Sequence, residues 1–164
     1  MSKKLLDKGK VIVIDTSPLL LLLMGLYDKN AINNFKRLSE YDSDDYDLLY
    51  QFVAKRKIIV TPQVLSEVSN FADQLKSKFS EFIEENRPIL EKIDEKYIPK
   101  IDILASQDVV KFGFTDTSII LAAKENNALV LTDDFPLCNI CKRNGLDAKH
   151  MKTEILSLKE IFKV

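Results

Sequence analysis

Residues 11–24 read VIVIDTSPLLLLLM, and how that stretch is read decides the fold. Val11, Ile12, Val13 and Ile14 form a short, unbroken β-branched run, the pattern of a strand buried on both faces, so a strand is predicted over Lys10–Ile14. Asp15-Thr16-Ser17-Pro18 ends it and opens a helix, with Ser17 read as the N-cap and Pro18 as the first helical residue. Leu19–Tyr27 is then a helix buried nearly all round. The stretch follows MSKKLLDKGK and so imitates a signal peptide or membrane anchor. The uncharged segment Thr16–Tyr27 has only 12 residues, short of the ~20 that a spanning helix needs. Asp15 and Pro18 interrupt the apolar region, and no small-residue cleavage site follows. The stretch reads as core, with no membrane partner and a cytoplasmic location.

Outward from it, the same alternation repeats. Ile58–Val60, Ala128–Leu131 and Leu146–Met151 read as further strands. Helices are predicted at Ala31–Leu38, Tyr46–Lys55, Gln63 onward, Lys76–Glu85, Pro88–Lys96, Asp116–Asn126, Pro136–Arg143 and Leu158–Phe162, with Ser39–Asp45 as a polar separator and Ile101–Phe112 as a short helix or loop. Strands separated by helices imply crossover connections, hence a three-layer α/β/α sandwich with a mostly parallel sheet of four or five strands. The 164 residues fit a single domain spanning 1–164. With 24 Lys+Arg against 25 Asp+Glu the net charge is −1, which excludes nucleic-acid binding through bulk positive charge. The two cysteines, Cys138 and Cys141, fit a reducing compartment better than a disulfide framework.

The chemistry-bearing residues are carboxylates at equivalent places. Asp15 follows the first strand, Glu67 lies in the first two turns after the second, Asp133 and Asp134 follow the third, and Asp116 opens the helix leading into it. Each acid taken alone could be a helix-end or turn residue. Together they fall on the rim formed by the carboxyl ends of parallel strands, where α/β proteins bind ligands. Four gathered carboxylates repel one another unless a cation neutralises them or some stay protonated. An all-oxygen donor set suits Mg²⁺ or Mn²⁺, which can activate water and stabilise the leaving oxygen of a phosphodiester.

The segments VIVIDTSPLL, TPQVLSEV, FTDTSIILAA and VLTDDF resemble, in order and spacing, the four signature segments of PIN-domain ribonucleases, over about Val11–Met151. The resemblance implies a metal-dependent endoribonuclease of the PIN-like fold, with RNA as substrate and, in toxin-type members, an antitoxin as partner. By position, Asp15, Glu67 and Asp116 match the first three acids. The family's Thr-x-Asp pattern favours Asp134 over Asp133 as the fourth. Asp15, Asp116 and Asp134 are then the expected metal ligands, Glu67 a ligand or an orienter of the attacking water, and Thr16, Ser17, Thr132 and Asp133 supporting residues. The stretch at about 69–107 is a long Lys/Glu-rich helical insertion relative to compact toxin-type members.

Rival readings are weaker. Cys138-Asn139-Ile140-Cys141 lacks two further zinc ligands near it and reads as core-facing. One histidine, His150, leaves no triad, and the four glycines are scattered. A receiver- or phosphatase-type phosphoryl-transfer domain would want a second acid beside Asp15. A non-catalytic RNA- or protein-binding module of the same fold is the alternative function. Lys142 and Arg143, on the helix after Asp134, are the expected phosphate contacts. Five consecutive leucines, Leu19–Leu23, exceed what one helix stripe buries, so a partner surface or homodimer contact is expected there and on the insertion.

Overall fold

The computed structural model describes residues 10–163; of the 1–164 read as one domain, residues 1–9 and 164 lie outside the described part. Strand β1 is Ile12–Ile14, its three side chains wholly buried, as the β-branched run requires. It is flanked by β2 (Ile58–Val60) on one side and β4 (Leu129–Thr132) on the other, with β3 (Asp94–Glu95) and β5 (Ala148–His150) outermost. The order is β3-β2-β1-β4-β5 and every pairing is parallel. Ile12 pairs with both Ile58 and Leu129, and Ile14 with Leu131. This is the α/β class with helices on both faces. The chain winds from β1 to β3 in one direction and from β4 to β5 in the other, so the connections leaving β1 and β4 diverge and open a crevice between them.

Helix α1 (Thr16–Asp28) begins earlier than Ser17 as a cap would place it. Asp15 is the N-cap, because its carboxylate reaches the Thr16 N–H at 2.6 Å. Pro18 therefore sits third in the helix, still inside the first turn where a missing N–H costs no hydrogen bond. The helix expected at Ala31–Leu38 is two 3-10 turns, Lys29–Asn34 and Lys36–Leu38, separated by Phe35 in extended backbone. That break lets Ile32, Phe35 and Leu38 all reach the core. Helix α2 (Ser43–Val53) starts inside the expected polar separator, where Asp42 and Asp45 form a reciprocal capping box.

Helix α3 (Pro62–Ala72) follows β2 with Pro62 at its first turn, as expected. The insertion then departs from the sequence reading. Instead of two helices broken near Pro88, one helix α4 (Phe79–Lys92) runs through it. Glu84 and Pro88 are both exposed, so the carbonyl that Pro88 cannot serve faces solvent. Two residues before Pro88, buried Asn86 donates to Leu23 O at 3.1 Å and Phe82 O at 2.9 Å, fastening α4 to α1. The end of the expected Pro88–Lys96 helix is strand β3, an exposed two-residue edge whose carboxylates deter further pairing.

Helix α5 (Lys100–Ala105) leads to α6 (Val109–Asn126), which is broken at Gly113 (φ +80). Helix α7 (Phe135–Arg143) closes at Asn144 with Gly145 at φ +75, as the Asn-Gly signal implied. Helix α8 (Met151–Phe162) is longer than the expected Leu158–Phe162, because Met151 and Ile155 bury one helical turn apart.

Leu19–Leu23 are all at most 1% exposed within the single chain. This corrects the expectation of an apolar partner face on α1: the insertion and the 3-10 turns cover the leucines that the sheet cannot. Close packing on that side yields a test. A Cβ at Gly25 of α1 would fall on the Tyr46 ring of α2. Gly25→Ala is therefore expected to destabilise by about 1–3 kcal/mol despite its better helix propensity, read as a lower urea midpoint. A midpoint at or above wild type would show that the α1–α2 contact is looser than described. Among the described residues no helix is long and apolar enough to cross a membrane.

Candidate functional site

The crevice between β1 and β4 is built by three hydroxyls and four carboxylates. Asp15, 6% exposed, extends β1 and is held by two donors: the Thr16 N–H to Oδ1 at 2.6 Å and the Thr132 hydroxyl to Oδ2 at 2.6 Å. Thr132, the last residue of β4, is wholly buried, and its oxygen also accepts the Asp134 N–H at 3.0 Å. One hydroxyl thus links the acid after β1 to the acid after β4. Asp134 caps α7, its Oδ1 accepting the Leu137 N–H at 2.9 Å.

Glu67, in the second turn of α3, is gripped at both oxygens. Oε2 accepts from the Thr16 hydroxyl at 2.8 Å and Oε1 from the Thr115 hydroxyl at 2.6 Å. Asp116 is the residue after Thr115, in the first turn beyond the Gly113 break. Beneath them, the hydroxyls of Thr61 and Ser118 meet at 2.9 Å and Ser118 donates to Thr115 O at 2.6 Å, tying α3 to α6.

Hydrogen bonds link these acids in pairs, Asp15 to Asp134 through Thr132 and Glu67 to the neighbours of Asp15 and Asp116, and their charges act on one another. Burial pushes the Asp15 carboxyl up to about 6; the Thr132 and Thr16 bonds oppose that, and the charges of Asp133 and Glu67 add to it. Burial pushes Asp116 up to about 7, reinforced in turn by Asp15, Asp134 and Glu67 and opposed by Arg37. All three of the other acids therefore act on Asp116. Cys141 lies against the same region: burial raises its thiol to about 12, with Cys138, Asp116, Asp108 and Asp15 adding. Both cysteines are free and buried, the core-facing pair the sequence suggested.

Not every candidate residue comes to the rim. Lys142 and Arg143 occupy the last turn of α7, about 12 Å along the helix from its Asp134 cap at 1.5 Å per residue. Lys142 lines a separate cavity of about 640 Å³ beside β5 that none of the four acids lines. A helix that starts at the rim carries its end away from it, so Lys142 and Arg143 stand at the far end of α7 from the Asp134 cap. Asp133 adds its charge to Asp15 and offers its backbone carbonyl to His150 Nε2 at 2.8 Å. The His150 ring stacks on Phe135 at 3.6 Å between centroids, which fixes the Asp133–Asp134 corner from β5. Ser17 is buried, and its oxygen accepts from Arg37 Nε at 2.8 Å.

Three participants were missed in the sequence. Thr115 stands beside Asp116 in FTDTS, and the hydroxyl next to an acid was the available signal. His150 enters the sequence reading only as the lone histidine that leaves no triad. Arg37 sits in a 3-10 turn far from every motif, with no local signal. It lines an open cleft of about 530 Å³ together with Glu67, Asp116, Phe71 and Phe114.

No family model and no curated protein matches the sequence. Among solved structures, the chain is similar to a domain of a functionally unknown protein from Methanocaldococcus jannaschii DSM 2661, at 23% identity and a TM-score of 0.47, over 86% of this chain and 90% of that one. It is also similar to a PilT N-terminus domain protein from Sulfolobus solfataricus P2, at 16% identity and a TM-score of 0.44, over 90% and 92%.

The donor chemistry fits a hard divalent cation: the linked side chains are carboxylates, and the repulsion that adds to burial in raising Asp116 is what a cation would relieve. The fit is one of charge and donor type. Among the described residues, no three His, Cys, Asp or Glu side chains stand close enough together to hold an ion as they are arranged.

Proposed function

We propose that the protein is a Mg²⁺- or Mn²⁺-dependent endoribonuclease of the PIN type. The observation that carries this reading is the hydroxyl network that ties the acids together where the strand order reverses: Thr132 bonds both Asp15 and the Asp134 N–H, and Glu67 bonds Thr16 and Thr115, the neighbours of Asp15 and Asp116. Acids from four elements of the chain, each held in place by hydroxyls, backbone N–H groups or burial, are costly to gather without a cation. The ordered motifs that resemble PIN ribonucleases supply the substrate class. Asp15, Asp116 and Asp134 would hold the metal, which when bound supplies an activated water and charge stabilisation at the phosphodiester. Glu67 keeps its orientation through Thr16 and Thr115 and is placed to orient water or to complete the ligand set. Thr132 keeps Asp15 and Asp134 in register with each other.

The test is cleavage of a labelled RNA by the purified protein in Mn²⁺ and in EDTA. Metal-dependent cleavage supports the proposal; equal behaviour in both, with no thermal shift on adding Mn²⁺, removes it. As the finer proposal, the toxin half of a toxin–antitoxin pair predicts growth arrest on induction of the wild type but not of Asp116→Asn. A second reading, a non-catalytic RNA- or protein-binding module, is favoured by one observation: among the described residues, no three His, Cys, Asp or Glu side chains are drawn together to ligating distance. It predicts RNA binding or partner capture without cleavage at any Mn²⁺ concentration.

A further inference from the structure

We propose that the cleft beside the acids binds single-stranded RNA, with Arg37 taking a backbone phosphate and Phe114 stacking on an adjacent base. This rests on the nuclease reading and deepens it. A metal held by the carboxylates would serve the scissile phosphate, but the neighbouring phosphates of a polyanion need a cation beside the acid cluster. Arg37 is that cation. Its Nε donates to buried Ser17, two residues after Asp15, and its guanidinium lies over the Phe71 ring at 4.7 Å. It is thus held from two sides and already oriented. Among the described residues no carboxylate forms an ion pair with Arg37, although its charge is felt by Asp116. A planar fork of donors fixed at one nitrogen, with the others uncommitted, matches the oxygens of a phosphate.

The second observation is independent. Phe114 follows Gly113, whose positive φ breaks α6 and turns the next residues onto the cleft. Phe114 remains 49% exposed and, among the described residues, no aromatic ring packs against it. An exposed aromatic face beside a fixed guanidinium is the pairing by which single strands are held, bases on the ring and phosphate on the cation. Duplex RNA keeps its bases stacked on each other and cannot offer one to Phe114. A cleft of about 530 Å³ falls in the range that takes a nucleotide-sized group.

The experiment uses the full chain with a labelled single-stranded oligoribonucleotide and its duplex. Steady-state cleavage in Mn²⁺ and binding by fluorescence anisotropy in EDTA are measured for wild type, Arg37→Gln, Arg37→Lys and Phe114→Leu, each checked by a thermal melt. For the single strand, Arg37→Gln and Phe114→Leu should each raise KM and the dissociation constant by roughly five- to tenfold, and Phe114→Leu should change kcat by less than about twofold. Arg37→Lys should recover part of the loss, because it keeps the charge without the fork. A loss confined to kcat, an unchanged KM, or equal binding of the duplex overturns the proposal while leaving the nuclease reading intact. Binding without cleavage that both substitutions weaken supports the cleft and overturns the nuclease. Neither binding nor cleavage by the wild type overturns both.

Discussion

Asp116→Asn should cut RNA cleavage by orders of magnitude while leaving the metal-free protein folded and no less stable than the wild type at pH 8. Asp116 is the acid on which the others act, and burial with their charges has raised it to about 7. The amide keeps the shape and removes the repulsion. Cleavage in Mn²⁺ should fall by roughly 10²- to 10³-fold, the usual cost of removing one group that stabilises transition-state charge. In the wild type, Mn²⁺ at about a hundred times its dissociation constant should add about 2.7 kcal/mol of stability. For a chain of this size that raises the melting temperature by roughly 5–10 °C. The variant should show a much smaller shift. Thermal melts with and without Mn²⁺, alongside the cleavage assay, read all of this. A variant that melts well below wild type without metal would make Asp116 a structural residue of the α6 turn.

The second large effect is the pH dependence of that metal shift. Asp15 and Asp116 are raised to about 6 and about 7 from an unfolded value of 3.8. Between about pH 4 and 7 the native state therefore binds more protons than the unfolded chain, and metal-free stability falls as pH rises through that window. For Asp15, which is almost wholly buried, the shift of about two units corresponds to a loss on the order of 3 kcal/mol. A cation favours the ionised acids, so it competes with those protons and binds more tightly as pH rises, levelling off above about 7. Melting temperatures in EDTA and in Mn²⁺ should thus converge at pH 5 and separate progressively to pH 8. Parallel curves across that range would show that the ion binds somewhere other than this cluster.

Burial explains why the sheet was readable from residues alone. Ile12–Ile14, Ile58–Val60 and Leu129–Thr132 carry little besides β-branched and leucine side chains, and such runs are stable only inside a covered parallel sheet. The acid positions were legible for the same reason. Each follows or closely trails an unmistakable strand or helix start, and the Thr61-Pro62 signal and Asn144-Gly145 closure are local chemistry. Strand β3 was not legible, because Asp94 and Glu95 have no strand composition; their pairing with Ile59 and Val60 makes them a strand. Nor was the unbroken helix through Pro88, which depends on Asn86 finding the Leu23 carbonyl across the core. The burial of Leu19–Leu23 has the same origin: an all-leucine helix implies a cover, and only folding shows that the chain's own later helices provide it.

The sequence by itself determined the α/β class, the run of buried strands and the four carboxylates at their ends, because these follow from side-chain hydrophobicity, branching and capping within a few residues. Tertiary structure alone decided the strand order that opens the crevice between β1 and β4, the hydroxyls of Thr16, Thr115 and Thr132 that hold the acids, and Arg37 among them. It also carried Lys142 and Arg143 away from the rim. Those features depend on groups far apart in the chain meeting at hydrogen-bond distance, and no local pattern encodes where a helix, once started, will end.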